Sequence, residues 1–283
     1  MTREDAAPPS AWQAARAAEP LLADAGIEES RFEAEYLARM AGGLTRAQYF
    51  AGAPLDDAGA ERFAGFLQRR LQREPAAYLA GEREFRGRMF QVGPGVLVPR
   101  PETEMLVDIG LGAALAGAGI VLEVGTGSGA AAVSLAAELP SGSGCRVFAT
   151  DISAHAILVA RENARRHGAV IDAVLADLAG PIAAADAVLA NLPYIPSGEI
   201  DALEPEVSRW EPRTALDGGA DGFALIRRLL DDCATRLHPR LLALEVGFGQ
   251  AHEAAKLVTA AGGMPEVLRD FNHIDRIVVA RWR

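Results

Sequence analysis

From about Ile120 onward the chain alternates short apolar runs with longer stretches of helical periodicity, and this pattern constrains the fold more than any other feature. Strand-like runs are read at Ile120–Val124, Arg146–Thr150, Val170–Leu175, Ala187–Ala190 and Leu241–Val246, with helical patterns near Ser128–Glu138, Ala154–His167, Phe223–Leu237 and Gln250–Gly262. Parallel strands need a long crossover, and helices supply it, so the alternation predicts an α/β class with a doubly wound parallel sheet. The ending reads as two more strands, Pro265–Leu268 and Arg276–Arg281, around a turn at Phe271-Asn272-His273.

The region before the sheet has another character. From about Ser10 to Gly81 it is rich in Ala, Arg and Glu with helical periodicity, which predicts a small helical bundle. Ser30-Arg31-Phe32-Glu33 reads as a capping box opening a helix that Gly42-Gly43 ends, and Thr45-Arg46-Ala47-Gln48 reads as another. Near Asp56 a helix begins that places Phe63, Phe66, Leu67 and Leu71 on one face and leaves Arg69, Arg70 and Arg73 largely on a solvated one. Residues 82–99 change to Phe-, Met- and Val-rich segments around Gly93-Pro94-Gly95, which predicts a hairpin linking the bundle (1–81) to the sheet domain (100–283).

Composition narrows the partners. A net charge of -10 on 283 residues argues against a broad nucleic-acid face, since such a face neutralises phosphates with Lys and Arg. Cys145 and Cys233, the only two cysteines, are far apart and form no C-x-x-C, so no disulfide framework or metal site is expected. The opening Met1-Thr2-Arg3-Glu4-Asp5 lacks the basic and apolar regions of an export signal, and no stretch reaches membrane-span length. A cytoplasmic protein is expected, taken as a monomer.

Two stretches carry chemistry. Glu123-Val124-Gly125-Thr126-Gly127-Ser128-Gly129-Ala130 stands between a strand and a helix, where glycines let the backbone turn sharply beside a ligand. It also satisfies the dinucleotide pattern G-x-G-x-x-G/A, so it says only that a nucleotide-like ligand lies at a sheet edge. Asp151, ending the next strand, suits ribose hydroxyls or caps the following helix, and Asp177-Leu178 ends the third, where an adenine would lie. A nicotinamide enzyme needs a proton-transfer group, yet none of the five histidines has an obvious partner at a strand end. A sulfonium methyl donor is already activated and needs alignment instead, which favours S-adenosylmethionine. The second stretch, Asn191-Leu192-Pro193-Tyr194, closes an apolar run with a carboxamide, a carbonyl restrained by the following Pro and an aromatic face. That combination suits a flat, hydrogen-bonding group.

With these stretches in place the chain resembles the release-factor glutamine methyltransferases of the PrmC/HemK type over nearly its whole length. The resemblance rests on Glu74-Pro75-Ala76-Ala77-Tyr78-Leu79-Ala80-Gly81 with Glu84-Phe85, and on Val98-Pro99-Arg100-Pro101-Glu102-Thr103-Glu104. Further matches are the glycine loop, Asp151-Ile152-Ser153, Glu211-Pro212-Arg213 and Ala215-Leu216-Asp217-Gly218-Gly219-Ala220-Asp221-Gly222. Leu192 departs from the family's Asn-Pro-Pro-Tyr, regaining an N–H and adding a bulkier, freer side chain that bears on loop rigidity and slot width. Asn-Leu-Pro-Tyr is also the form in rRNA adenine dimethyltransferases, although the flanking segments do not resemble that family.

The resemblance implies a Rossmann-like, seven-stranded class I methyltransferase domain behind a helical substrate-docking domain. It implies S-adenosylmethionine held by Gly125, Thr126, Gly127, Ser128, Gly129, Asp151, Leu178 and Asn191. It further implies catalysis and substrate binding by Asn191, Leu192, Pro193 and Tyr194, acting on the Gly-Gly-Gln glutamine of bacterial class I peptide chain release factors. The alternatives are an adenine-N6 nucleic-acid methyltransferase, a nucleotide-dependent oxidoreductase and an inactive binding relative.

Overall fold

The computed structural model describes residues 9–282, which fall into two compact units. One comprises the residues up to Gly81 together with Pro205–Trp210; the other comprises Glu82–Glu204 and the residues from Glu211 onward. The helical unit thus includes a short piece of chain that the sequence reading assigned to the sheet domain.

In the helical unit, Ala11–Asp24, Ser30–Gly42 and Asp57–Leu71 pack around Leu22, Leu37, Leu55 and Phe63, with short helices at Arg46–Phe50 and Ala76–Ala80. The capping box at Thr45 forms, its hydroxyl accepting from Gln48 N and the Gln48 side chain accepting from Thr45 N. The one expected at Ser30 does not: Glu29 is the cap residue and makes no side-chain bond there. Glu33 is drawn away instead to Arg70, whose Nε and Nη2 reach its carboxylate at 2.6 and 3.2 Å. Arg70 is therefore 3% exposed rather than solvated, and it shares Glu206 with Arg73. A buried guanidinium is tolerated only when carboxylates meet it, and the Pro205–Trp210 segment supplies one of the two.

The sheet unit opens with a hairpin, β1 (Glu82–Phe85) and β2 (Arg88–Gln91). Its turn is Arg86-Gly87, both at positive φ (50° and 69°), as a two-residue type I′ turn requires, and not Gly93-Pro94-Gly95. Phe85 and Phe90 are buried in the core of the sheet unit, so the hairpin belongs to that unit.

The main sheet contains β3 (Ile120–Val124), β4 (Arg146–Asp151), β5 (Asp172–Leu175), β6 (Ala187–Ala190), β7 (Leu241–Glu245), β8 (Met264–Arg269) and β9 (Asp275–Arg281). Their order is β5-β4-β3-β6-β7-β9-β8; β3 to β7 run parallel, and β9 is antiparallel to both β7 and β8. Both faces are covered, which explains continuous apolar strands in place of alternation. Leu122, Val124, Val188, Ala190, Leu242 and Leu244 face one core with the helices Ala224–Asp232 and Ala251–Ala260. Val121, Leu189 and Ala243 face the other with Glu104–Leu115 and Ala130–Glu138. The chain steps outward from β3 to β5 and then returns to β6 on the other side of β3. Such a reversal leaves a crevice at the carboxyl ends of β3 and β6, where ligands of open α/β sheets bind.

Candidate active site

The crevice is set by register. Val124 of β3 pairs with Ala190 of β6, so Gly125 and Asn191 leave the sheet side by side. The glycine loop is pinned from below: Gly125 N and Thr126 N both donate to Thr150 O at 2.9 Å. Beneath it, the buried Glu123 carboxylate accepts from Thr126 Oγ1 at 2.5 Å and from Ala132 N at 2.9 Å. Burial pushes this carboxyl up to about 7 against those two bonds. At Gly129 (φ 80°) a Cβ would come within 2.9 Å of Ala160 Cβ, so glycine lets the helix beginning at Ala130 approach Ala154–Arg166.

A cavity of about 360 Å³ opens over these strand ends. Gly125, Gly127 and Asp151 form one wall, Asp177 and Leu178 a second, and Asn191-Leu192-Pro193 a third. Gly95-Val96-Leu97, just beyond the hairpin, also lines it. Asp151 accepts from Gly127 N at 2.9 Å and Ser153 N at 2.8 Å. The cap of the next helix is Ser153, whose hydroxyl accepts from Ala156 N. A carboxylate has about four acceptor positions, so Asp151 keeps capacity towards the cavity. Leu178 is buried with φ 49°, an uncommon conformation for a branched residue, and Asp177 accepts from Arg228 at 2.8 Å.

Asn191 is held from behind. Its Nδ2 donates to Thr103 Oγ1 at 3.0 Å, and Thr103 Oγ1 donates to Glu245 Oε2 at 2.7 Å. Glu245 ends β7 and is 2% exposed; burial pushes its carboxyl up to about 7, with Thr103 opposing. Among the described residues no donor reaches Asn191 Oδ1 or the Leu192 carbonyl. The Leu192 side chain is 3% exposed and packs in the core, with Cδ2 3.4 Å from where a Gly125 Cβ would stand. The freedom expected for this side chain is absent because the glycine loop offers it an apolar seat.

A second loop buttresses the first. Ile195 N donates to Leu216 O at 3.0 Å, Gly218 N to Ile195 O at 2.8 Å and Ser197 N to Gly219 O at 2.9 Å. Gln250 Nε2 donates to Tyr194 O at 2.8 Å while Gln250 Oε1 accepts from Gly247 N at 2.8 Å. Burial, followed by the field of Glu245, pushes the Tyr194 hydroxyl up. On the hairpin side Arg100 pairs with buried Glu211, which also accepts from Val98 N at 3.2 Å.

Of the residues read as cofactor ligands, Gly125, Gly127, Asp151, Leu178 and Asn191 line the cavity. Thr126, Ser128 and Gly129 do not. Thr126 turns its hydroxyl to Glu123, the Ser128 carbonyl accepts from Asn163 Nδ2, and Gly129 is consumed in helix packing. Leu192 and Pro193 join the cavity wall, whereas Tyr194 lies beyond it with its ring beside Gly247. Sequence reasoning missed Thr103, Glu245 and Gln250. The only signal was that Thr103 lies inside a stretch matched to the family, with no role attached.

Comparison with known proteins agrees with this architecture. Residues 13–81 match the family described as PrmC N-terminal domain, and residues 121–210 match a methyltransferase domain family. A release factor glutamine methyltransferase of Cereibacter sphaeroides is 41% identical over 279 residues, covering 96% of this chain and 98% of its own. That of Geobacter sulfurreducens is 38% identical over 266 residues, covering 92% of each. Among solved structures the hMettl16 catalytic domain, in complex with MAT2A 3'UTR hairpin 6, is 12% identical with a TM-score of 0.55, covering 81% of this chain and 83% of its own. At that identity the likeness concerns the fold alone. The sequence relatives span essentially the full length in both directions, and on that ground the chain belongs to the release factor glutamine methyltransferase family.

Proposed function

We propose that this enzyme transfers the methyl group of S-adenosylmethionine to the side-chain amide nitrogen of the glutamine in the Gly-Gly-Gln motif of bacterial class I peptide chain release factors. The products are N5-methylglutamine, S-adenosylhomocysteine, which leaves as the neutral thioether, and the proton released from the nitrogen. One observation carries the reading: Asn191 commits its Nδ2 to Thr103 and keeps Oδ1 for a ligand, directly after the strand that borders the cavity. A carboxamide NH2 has two hydrogens, and Asn191 Oδ1 with the Leu192 carbonyl offers two acceptors.

The residues present fit the cofactor. A volume of about 360 Å³ lies within the range of roughly 300–1,000 Å³ usual for small-molecule sites. Asp151 has acceptor capacity for ribose hydroxyls, and the buried Leu178 offers an apolar surface to a base. When bound, S-adenosylmethionine supplies a methyl group on a positively charged sulfur. The amide nitrogen is a weak nucleophile because its lone pair is delocalised, so positioning must do most of the work. Asn191 Oδ1 and the Leu192 carbonyl take the two N–H bonds and turn the nitrogen towards the cavity, while Tyr194 packs against the amide plane. No side chain has to remove a proton beforehand, because the nitrogen releases it once alkylated. We assign recognition of the body of the release factor to the helical unit and place the reaction in the cytoplasm, where such factors act.

Incubation of the protein with purified release factor and S-adenosylmethionine adds one methyl group, about 14 Da, to the glutamine-containing peptide. Asn191→Ala lowers the rate about ten- to thousand-fold. An unmodified peptide, or label that moves to nucleic acid, overturns the substrate assignment; full activity in Asn191→Ala overturns the role of Asn191.

A further inference from the structure

The two ends of an asparagine carboxamide have nearly the same shape, so packing alone does not decide which end faces a ligand. The partner of the inward end decides it. For Asn191 that partner is Thr103 Oγ1, at 3.0 Å, and a hydroxyl carries a single hydrogen. Thr103 gives that hydrogen to Glu245 Oε2 at 2.7 Å. With Glu245 ionised, Thr103 has spent it and can only accept, so the inward end of Asn191 must be the NH2 donor. The reversed amide would need the Thr103 hydrogen for itself and would strand a buried carboxylate oxygen without its donor. Glu245 and Thr103 are 2% and 8% exposed, so water cannot readily stand in.

We propose that the Thr103–Glu245 pair is a specificity device that holds Asn191 with its oxygen towards the substrate, so that the site accepts a carboxamide and rejects the isosteric carboxylate. The inference rests on the reading of the enzyme as a glutamine methyltransferase. An outward Oδ1 accepts from a glutamine NH2, whereas a glutamate in the same place brings an oxygen against an oxygen. Released from Thr103, Asn191 is free to turn its NH2 outward and bind the glutamate.

The test uses the full-length enzyme at about pH 8, where Glu245 is ionised, with intact release factor as substrate and its Gly-Gly-Glu form as competitive inhibitor. In the wild type, the inhibition constant of the glutamate form exceeds the KM of the glutamine form by about tenfold or more. Thr103→Val fills the same space without a hydroxyl. In that variant kcat falls about ten- to hundred-fold, S-adenosylmethionine affinity is unchanged, and the ratio of the two constants falls towards one. Thr103→Ser restores both the rate and the discrimination. If Thr103→Val fails to bind the cofactor, Thr103→Ala carries the same comparison. A variant lacking the hydroxyl that keeps the wild-type ratio overturns the proposal, whether or not its rate falls, as does failure of Thr103→Ser to restore discrimination. A wild type that leaves the glutamine form unmethylated overturns the parent reading instead, and the two failures are told apart by that first control.

Discussion

Asp151 serves two masters with one carboxylate. Its bonds to Gly127 N and Ser153 N hold the glycine loop against the following strand, and its remaining acceptor positions face the cavity. Hydrogen bonds to a charged group contribute about 1.5–3 kcal/mol each, so Asp151→Ala should weaken S-adenosylmethionine binding about ten- to hundred-fold. Asn191 and its neighbours are untouched, so kcat at saturating cofactor should stay within a few-fold; calorimetric titration alongside steady-state kinetics checks both, and unchanged affinity sinks the assignment. At this scale the sequence was partly legible. A carboxylate ending the strand after a glycine loop has a local signature, and the structure brings Asp151 to the cavity wall. Thr103 and Glu245 have none, because each acts across a large gap: Thr103 meets Asn191 from 88 residues away and Glu245 from 142. Thr126 and Ser128 stay off the cavity wall, and Thr126 gives its hydroxyl to Glu123; a polar residue in a glycine loop looks the same in sequence whichever way it turns.

The strands were legible because a sheet covered on both faces writes itself as continuous apolar runs, and β3 and β6 were located to the residue. Elements set by distant partners were not. The box at Ser30 looked sound locally, yet Arg70, 37 residues further on, competes for Glu33 with a full positive charge. The hairpin turn escaped because Arg86 adopts positive φ, a conformation arginine seldom signals, while Gly93-Pro94-Gly95 nearby is rich in turn formers. The segment Asp217–Gly222 was recognised only as a match, and its geometry now gives it work. Gly222 has φ 80°, and a Cβ there would stand 2.3 Å from Tyr194 O, the atom to which Gln250 donates. Gly222→Ala must therefore displace the loop carrying Tyr194 or distort its own, at a cost on the order of 1–3 kcal/mol. Methyl transfer should fall at least about tenfold with helical content by circular dichroism unchanged. Wild-type kinetics in that variant would falsify the buttressing role of this loop.

Across the whole molecule the buried carboxyls set how stability depends on pH. Glu123 and Glu245 are both pushed from an ordinary value of 4.5 up to about 7, burial being the leading cause for each. The folded state therefore binds protons that the unfolded state has released, and their contribution is fully present below about pH 4.5 and lost as pH rises to about 7. Other carboxyls lean the opposite way. Burial raises Glu206, but Arg73 and Arg70 more than reverse it and hold it below its usual range, while Arg227 leads the lowering of Asp221 to about 2. Depressed groups contribute above their unfolded values and lose that contribution only as pH falls, so they are fully ionised and silent above about pH 5.5. Near neutrality the raised groups decide the sign, burial of Glu211 adding in the same direction to the pair. Between about pH 5.5 and about pH 8 Glu123 and Glu245 should each cost roughly 2 kcal/mol of stability, and self-repulsion at a net charge of -10 acts in the same direction. The urea midpoint at constant ionic strength should therefore drop across this interval. Glu123→Gln keeps an acceptor for Thr126 and Ala132 but no longer titrates, so it should make the drop smaller without abolishing it. A midpoint that stays level or rises from acid to alkaline pH in the wild type contradicts the assignment of these two carboxyls.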